Sequence, residues 1–353
     1  MDAYPVRTSP KAGIRFLWVT GAQRSGTTLV GRLLGGHPDI HFVPTDTVVF
    51  DSYDYFARYT GVRQPGTRKE LETVCRKLIA HPLVGKWGLS QSDIDCTLDR
   101  FEPGWDGAFL TLAYALSEKY PEKIICFKRP MSGSSFARLR EIFGQQGDCV
   151  RFIYCLRSPF DVYRSWKHRA SAWVGRPDTD PRPIFWSSQW LLSTTEALSS
   201  SYLLGDLLHI ARYEDLIRDT PCCAARLCRF LGIDPARATD MIAALDSIGA
   251  NTSFPSPDPE PQTGILNTLD RNVPGLSDFE MNVIRAACGR RAATFGYDLG
   301  DVDKSVLGGR HVEYDIVIES LPTRALVKST MQLLLRRTWT RVRPGQFECK
   351  ADV

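Results

Sequence analysis

The residues with the plainest chemical meaning stand near the start of the chain. In Gly21-Ala22-Gln23-Arg24-Ser25-Gly26-Thr27-Thr28, two glycines bracket a cation and a hydroxyl, and two more hydroxyls follow. The backbone N–H groups of such a turn, together with the N-terminus of the next helix, hold a phosphate. In the nucleotide triphosphatase form the loop ends Gly-Lys-Ser/Thr, with the lysine on the β/γ-phosphates and the hydroxyl on Mg²⁺. Here Thr27 takes the lysine's place and the cation is Arg24. The phosphate cradle is kept, while the triphosphate and metal equipment is missing. A glycine turn with no ligand is the plain alternative, and the density of anion donors around Gly26 weighs against it.

Two further cations end apolar runs. Ile124 to Phe127 leads into Lys128, and Val150 to Leu156 leads into Arg157. An arginine ending a buried strand needs an anion, and a metal-binding aspartate is absent from that place. Ser165 follows in a helical pattern running from Asp161 to His168, about one turn into the helix. It could meet Arg157 at the strand's C-terminal edge. A salt bridge for Arg157, an incidental helix serine for Ser165 and a solvated lysine for Lys128 remain the alternatives.

These residues require a particular scaffold. Arg15 to Thr20 is a short apolar, β-branched-rich run ending at Gly21, and Thr28 to Leu34 has helical apolar spacing, stopped by Gly35, Gly36 and Pro38. With the runs ending at Lys128 and Arg157, and a fourth from Leu207 to Ile210, this predicts an α/β fold. It has a P-loop-type central parallel sheet flanked by helices, with ligands at the C-terminal strand edge. Helices are predicted at about 220–231, 236–245 and 277–294. The proline-rich stretch Pro177 to Pro183 is a predicted loop, and Phe254 to Pro261 a predicted loop or lid. From Leu321 to Phe347 the chain carries six arginines and lysines and no acid. The span from Ala325 to Trp339 has an amphipathic helical pattern, predicting a helical C-terminal extension.

Composition narrows the class. The chain has 353 residues, 43% of them hydrophobic and 24% charged, which is ordinary for a globular protein. The net charge of +4 is too mild to imply nucleic acid, and a polyanionic cofactor accounts for it as well. Ten cysteines are scattered without a C-x-x-C pair, so reduced thiols in a cytoplasmic enzyme without a metal site are expected. No apolar run near the N-terminus is long enough for an export signal or a membrane span.

Gln23-Arg24-Ser25-Gly26-Thr27-Thr28-Leu29, followed by His37-Pro38-Asp39-Ile40, resembles the sulfotransferases that use 3′-phosphoadenosine 5′-phosphosulfate (PAPS). The closest likeness is to the bacterial and tyrosylprotein or heparan-type branch. The likeness continues through the run from Phe152 to Trp166, then Arg212-Tyr213-Glu214-Asp215-Leu216, Thr252-Ser253-Phe254 and Phe295-Gly296-Tyr297. It covers about residues 14 to 298. The organisation implied is a flexible N-terminus (1–13), a sulfotransferase domain (14–300) and a basic extension (301–353).

By that resemblance, Arg24, Ser25, Gly26, Thr27 and Thr28 would hold the 5′-phosphosulfate, and Arg157 with Ser165 the 3′-phosphate. Tyr213 with Thr252 or Phe254 would lie around the adenine. Lys128 matches the family's lysine and would act with Arg24 at the scissile bond. The family's catalytic glutamate or histidine is missing: Pro44-Thr45-Asp46-Thr47 occupies the first place and Arg129-Pro130 the second. Asp46 is the expected base, against a loop or N-cap aspartate. His41 and His168 are lesser candidates.

The expected acceptor is a hydroxyl-bearing small molecule or natural product, with 3′-phosphoadenosine 5′-phosphate (PAP) as product and no metal. Aromatic segments around Phe50 to Tyr59 and Trp166 to Trp190 are candidate acceptor walls, with core packing as the alternative for each residue. Peripheral membrane contact through the basic helix and oligomer formation remain open. A P-loop small-molecule kinase and a catalytically silent PAPS-binding protein are the competing functions.

Overall fold

The computed structural model describes residues 13–130, 136–174, 183–246, 275–303 and 305, without side chains at 149, 168–174 and 246. Strand β1 (Ile14–Gly21) is the middle of a five-stranded, all-parallel sheet. Its partners are β2 (Ile40–Asp46), β3 (Ile124–Lys128), β4 (Cys149–Leu156) and β5 (Leu208–Arg212). The order is β2-β3-β1-β4-β5. A parallel central strand is covered on both faces, which is why β1 reads as a nearly unbroken apolar run. Phe16 and Trp18 point into one core with Phe109, Phe127 and Phe143; Leu17 and Val19 point into the other with Leu33, Leu34, Leu227 and Leu231.

Register decides what meets at the C-terminal edge. Val19 lies opposite Lys128, Gly21 opposite Cys155, Leu156 opposite Arg212, and Asp46 opposite Lys128. The turns after all five strands therefore converge on one rim. Helix α1 (Thr27–Gly35) leaves β1 there and packs on the second core.

Strand β2 has no counterpart in the sequence reading. Pro44 breaks its apolar pattern, yet an edge strand tolerates proline because one side of its backbone needs no ladder partner. The ladder is interrupted between Phe42 and Asp46, then resumes for Asp46 alone. Asp46 is thus the last strand residue and neither a loop nor an N-cap group.

Between β2 and β3 the chain forms α2 (Tyr53–Thr60), α3 (Arg68–Ala80), α4 (Gln91–Asp95) and α5 (Trp105–Lys119). Capping boxes start two of them, Thr67 with Glu70 and Ser90 with Asp93. Helix α6 (Phe136–Gly144) precedes β4, and α7 (Pro159–Val174) and α8 (Pro183–Leu204) follow it. The predicted loop at 177–183 falls on undescribed residues except Pro183, which opens α8. After β5 come α9 (Tyr213–Arg218), α10 (Thr220–Leu231), α11 (Ala238–Asp246) and α12 (Asp278–Ala293), the last three close to their predicted spans. The loop at 254–261 and the basic segment at 321–347 lie outside the described residues. No helix among the described residues is long and apolar enough to cross a membrane.

Buried Glu280 fastens α12 to α7. It accepts hydrogen bonds from Lys167 Nζ at 2.6 Å, Tyr163 Oη at 3.0 Å and the Ser277 N–H at 2.8 Å. Burial pushes its carboxyl upward, but these bonds outweigh burial and hold it below its ordinary 4.5. A lowered folded-state value stabilises the protein above about pH 4.5, and that contribution fades as pH falls through the folded value. Glu280→Gln is therefore expected to lower Tm by about 5 °C at pH 7. Calorimetry from pH 7 to pH 3.5 should show the gap to wild type closing below about pH 4.5.

Candidate functional site

The loop between β1 and α1 owes its shape to three backbone positions. Arg24 has φ 71° and Gly26 φ 96°, both left-handed, which turns successive N–H groups towards one side as an anion-binding nest. For arginine this conformation costs about 1–2 kcal/mol, so the surroundings must enforce it. Gly21, with φ 152°, is excluded from carrying a side chain, since a Cβ there would sit 2.3 Å from the Cys155 carbonyl oxygen. Ser25 closes the turn, its N–H and hydroxyl donating to the Ala22 oxygen at 3.1 and 2.6 Å. Helix α1 then starts with no side-chain cap and no acid in its first turn. Its leading N–H groups and its dipole are thus disposed towards an anion.

Arg157, just beyond β4, locks this loop from behind. Its Nη1 donates to the Arg24 carbonyl oxygen at 3.1 Å, and its guanidinium lies 4.0 Å from the centroid of the Tyr213 ring. Tyr213 also lies against Gly26, where a Cβ would come within 2.5 Å of the ring. Tyr213 therefore wedges between loop and arginine. Ser165, buried on α7, accepts from Arg24 Nε at 3.2 Å. Arg24 thus joins the two later residues, its side chain bonded to Ser165 and its carbonyl oxygen to Arg157.

A third cluster stands across the loop. Lys128 is only 7% exposed, and its Nζ donates to Thr28 Oγ1 at 2.9 Å and pairs with Asp46 Oδ1 at 2.5 Å. A buried ammonium needs such partners. The Asp46 side chain is 40% exposed, so one side of the carboxylate remains open to a molecule arriving from solvent. Next to Lys128, Arg129 forms an ion pair with Asp51 at 2.8 Å.

Beyond Asp51 a cleft of about 600 Å³ opens along α2, lined by Tyr53, Asp54, Arg63, Gln64, Glu70 and Trp105. Tyr53 stacks on Trp105 with centroids 5.6 Å apart and donates to Asp106 Oδ1 at 3.1 Å. Burial first, then the Asp106 charge, push its phenol well up, so Tyr53 stays protonated. Of the expected aromatic walls, Tyr53 is the one that lines this cleft among the described residues. Phe50, Phe56 and Trp190 are core residues, and Tyr55 and Tyr59 are exposed. Trp105 carries no spacing signal in the sequence that could have revealed its part.

His41 sits near the start of β2, at the opposite end of that strand from Asp46. It stacks on Tyr120 at 4.0 Å, and burial, with Lys123 and Lys119, lowers its pKa. Thr252 and Phe254 lie outside the described residues, as does the side chain of His168. Among the described residues no cluster of three or more metal-ligating side chains occurs.

The sulfotransferase family profile matches residues 17–237, and the chain belongs to that family. The match supplants the kinase reading. Among solved structures, a sulfotransferase domain from the curacin biosynthetic pathway is 17% identical with a TM-score of 0.51, covering 83% of this chain and 100% of that one. The sulfotransferase domain of the Synechococcus PCC 7002 olefin synthase is 19% identical with a TM-score of 0.48, covering 84% of this chain and 98% of that one. At 17% identity the likeness to the curacin-pathway domain is one of fold. No curated protein matches the sequence.

Gly26 offers a direct test of the loop's construction. Gly26→Ala would place a methyl against the Tyr213 ring and strain a positive-φ position, so a loss of about 2–4 kcal/mol is expected in urea unfolding. A loss below about 0.5 kcal/mol would contradict the packing described.

Proposed function

We propose that the protein transfers the sulfuryl group of PAPS to a hydroxyl of a small polar acceptor, without a metal, with Asp46 as general base. The observation that carries this reading is the Lys128 ammonium. It touches both a hydroxyl of the anion-binding loop, Thr28, and a carboxylate at the end of β2, Asp46. The described residues suit a ligand with two anionic ends. The uncapped start of α1 with Arg24, Ser25, Gly26, Thr27 and Thr28 would hold the phosphosulfate. Arg157 and Ser165, on the far side of Arg24, would hold the 3′-phosphate. PAPS, when bound, supplies an activated sulfuryl group.

The chain's own contributions are positional and electrostatic, as expected for in-line transfer through a loose transition state. Lys128 and Arg24 place fixed positive charge where the leaving oxygen becomes negative. Asp46 Oδ2 faces away from the pair's shared oxygen and accepts the acceptor's proton. The cleft beyond Asp51 would bind the body of the acceptor; its mixture of aromatic and charged walls favours a polar ring-bearing alcohol over a largely apolar one.

Two measurements decide this. PAP at about a hundred times its Kd should raise Tm by about 5 °C while ATP with Mg²⁺ does not, and Arg24→Ala should weaken PAP about thirtyfold. Equal stabilisation by ATP, or an unchanged Arg24→Ala, would argue against the donor assignment. Separately, Asp46→Asn should reduce sulfate transfer from labelled PAPS by 10²–10⁴-fold, leaving PAP affinity within about twofold. Full turnover by this variant removes Asp46 from the role of base, and no transfer by the wild type to any hydroxyl acceptor would identify a silent binding protein.

A further inference from the structure

Glu214 has no part in the chemistry above, yet it is 6% exposed and bonded at both oxygens. Oε1 accepts the Ser158 N–H at 2.8 Å, and Oε2 accepts the Tyr297 hydroxyl at 2.7 Å. Ser158 N–H belongs to the same peptide unit as the Arg157 carbonyl. That carbonyl accepts the Trp190 indole N–H at 2.9 Å. Both polar ends of one peptide plane are therefore held by buried side chains from α8 and α9. The plane lies in the short turn between Leu156, the end of β4, and Pro159, the start of α7, where neither ladder nor helix supplies partners.

A locked peptide plane fixes the direction in which its residue's side chain leaves the backbone. Here that residue is Arg157, whose guanidinium reaches the Arg24 carbonyl and stacks on Tyr213, the neighbour of Glu214. We propose that Glu214 is a positioning residue of the donor site, holding the Arg157–Ser158 peptide so that Arg157 is aimed at a bound phosphate. Tyr297 extends the anchor: its ring lies 4.5 Å from the Arg212 guanidinium, so the segment after α12 is tied to the same turn. The proposal rests on the reading of Arg157 as part of the donor site.

Charge alone predicts the reverse behaviour. A carboxylate beside a phosphate site repels the ligand, so its removal would tighten binding if position did not matter. Glutamine keeps one acceptor for Ser158 N–H and offers a donor to the Tyr297 oxygen, whereas alanine releases the peptide. PAP binding to the full chain, measured calorimetrically well below each variant's Tm, separates the two. Glu214→Ala is expected to weaken PAP about tenfold, and Glu214→Gln to restore affinity to within about threefold. Trp190→Phe, which frees the other end of the same peptide, should match the alanine variant, and it stands in should that variant fail to fold. PAP affinity unchanged in Glu214→Ala or, in its place, Trp190→Phe, with only Tm lowered, overturns the proposal. Failure of the wild type to bind PAP would instead overturn the donor assignment itself.

Discussion

Arg24 holds a left-handed backbone that its side chain disfavours, and the hydrogen bond from Arg157 to its carbonyl oxygen is what keeps that conformation in place. The bond spans the rim of the sheet, from the turn after β1 to the turn after β4. It converts two separate loops into one surface with convergent N–H groups and two guanidiniums. Tyr213 fills the space between Gly26 and Arg157, so the third turn, after β5, is part of the same assembly. A net hydrogen bond to a charged donor contributes about 1.5–3 kcal/mol, and a cation–π contact adds about 0.5–2. Together these are enough to offset the cost of the strained residue.

The edge strand supplies the rest. Lys128 ends β3 in the interior, where an unpaired ammonium would be expensive, and β2 brings Asp46 beside it through a single resumed pair in the ladder. The chain thus places Asp46 by strand register rather than by a loop. Register also sets the relation between the two halves of the site, because Val19 and Lys128 are paired in the same sheet that puts Gly21 opposite Cys155.

Much of this was legible from the residues. The β1–loop–α1 unit shows because a buried parallel strand is an unbroken apolar run and because Gly21 and Gly26 sit where no side chain fits. Lys128 and Arg157 show because each ends such a run. Strand β2 was hidden by Pro44, and α2 to α4 by mixed polar patterns in which the boxes at Thr67 and Ser90 mark two of the starts. Glu214 and Trp190 were the least legible in their roles, since what they do depends on contacts with the Arg157–Ser158 peptide, distant along the chain. Spacing cannot disclose a partner that only the tertiary fold brings near.

The central claim is that one nucleotide with two phosphate groups spans the loop and Arg157. A crystal structure of the protein soaked with PAP tests this most directly. The account predicts the 5′-phosphate against the N–H groups of Gly26 to Thr28 and the 3′-phosphate between Arg157 and Ser165. PAP bound elsewhere, or bound at the loop with Arg157 making no contact to it, would contradict the account.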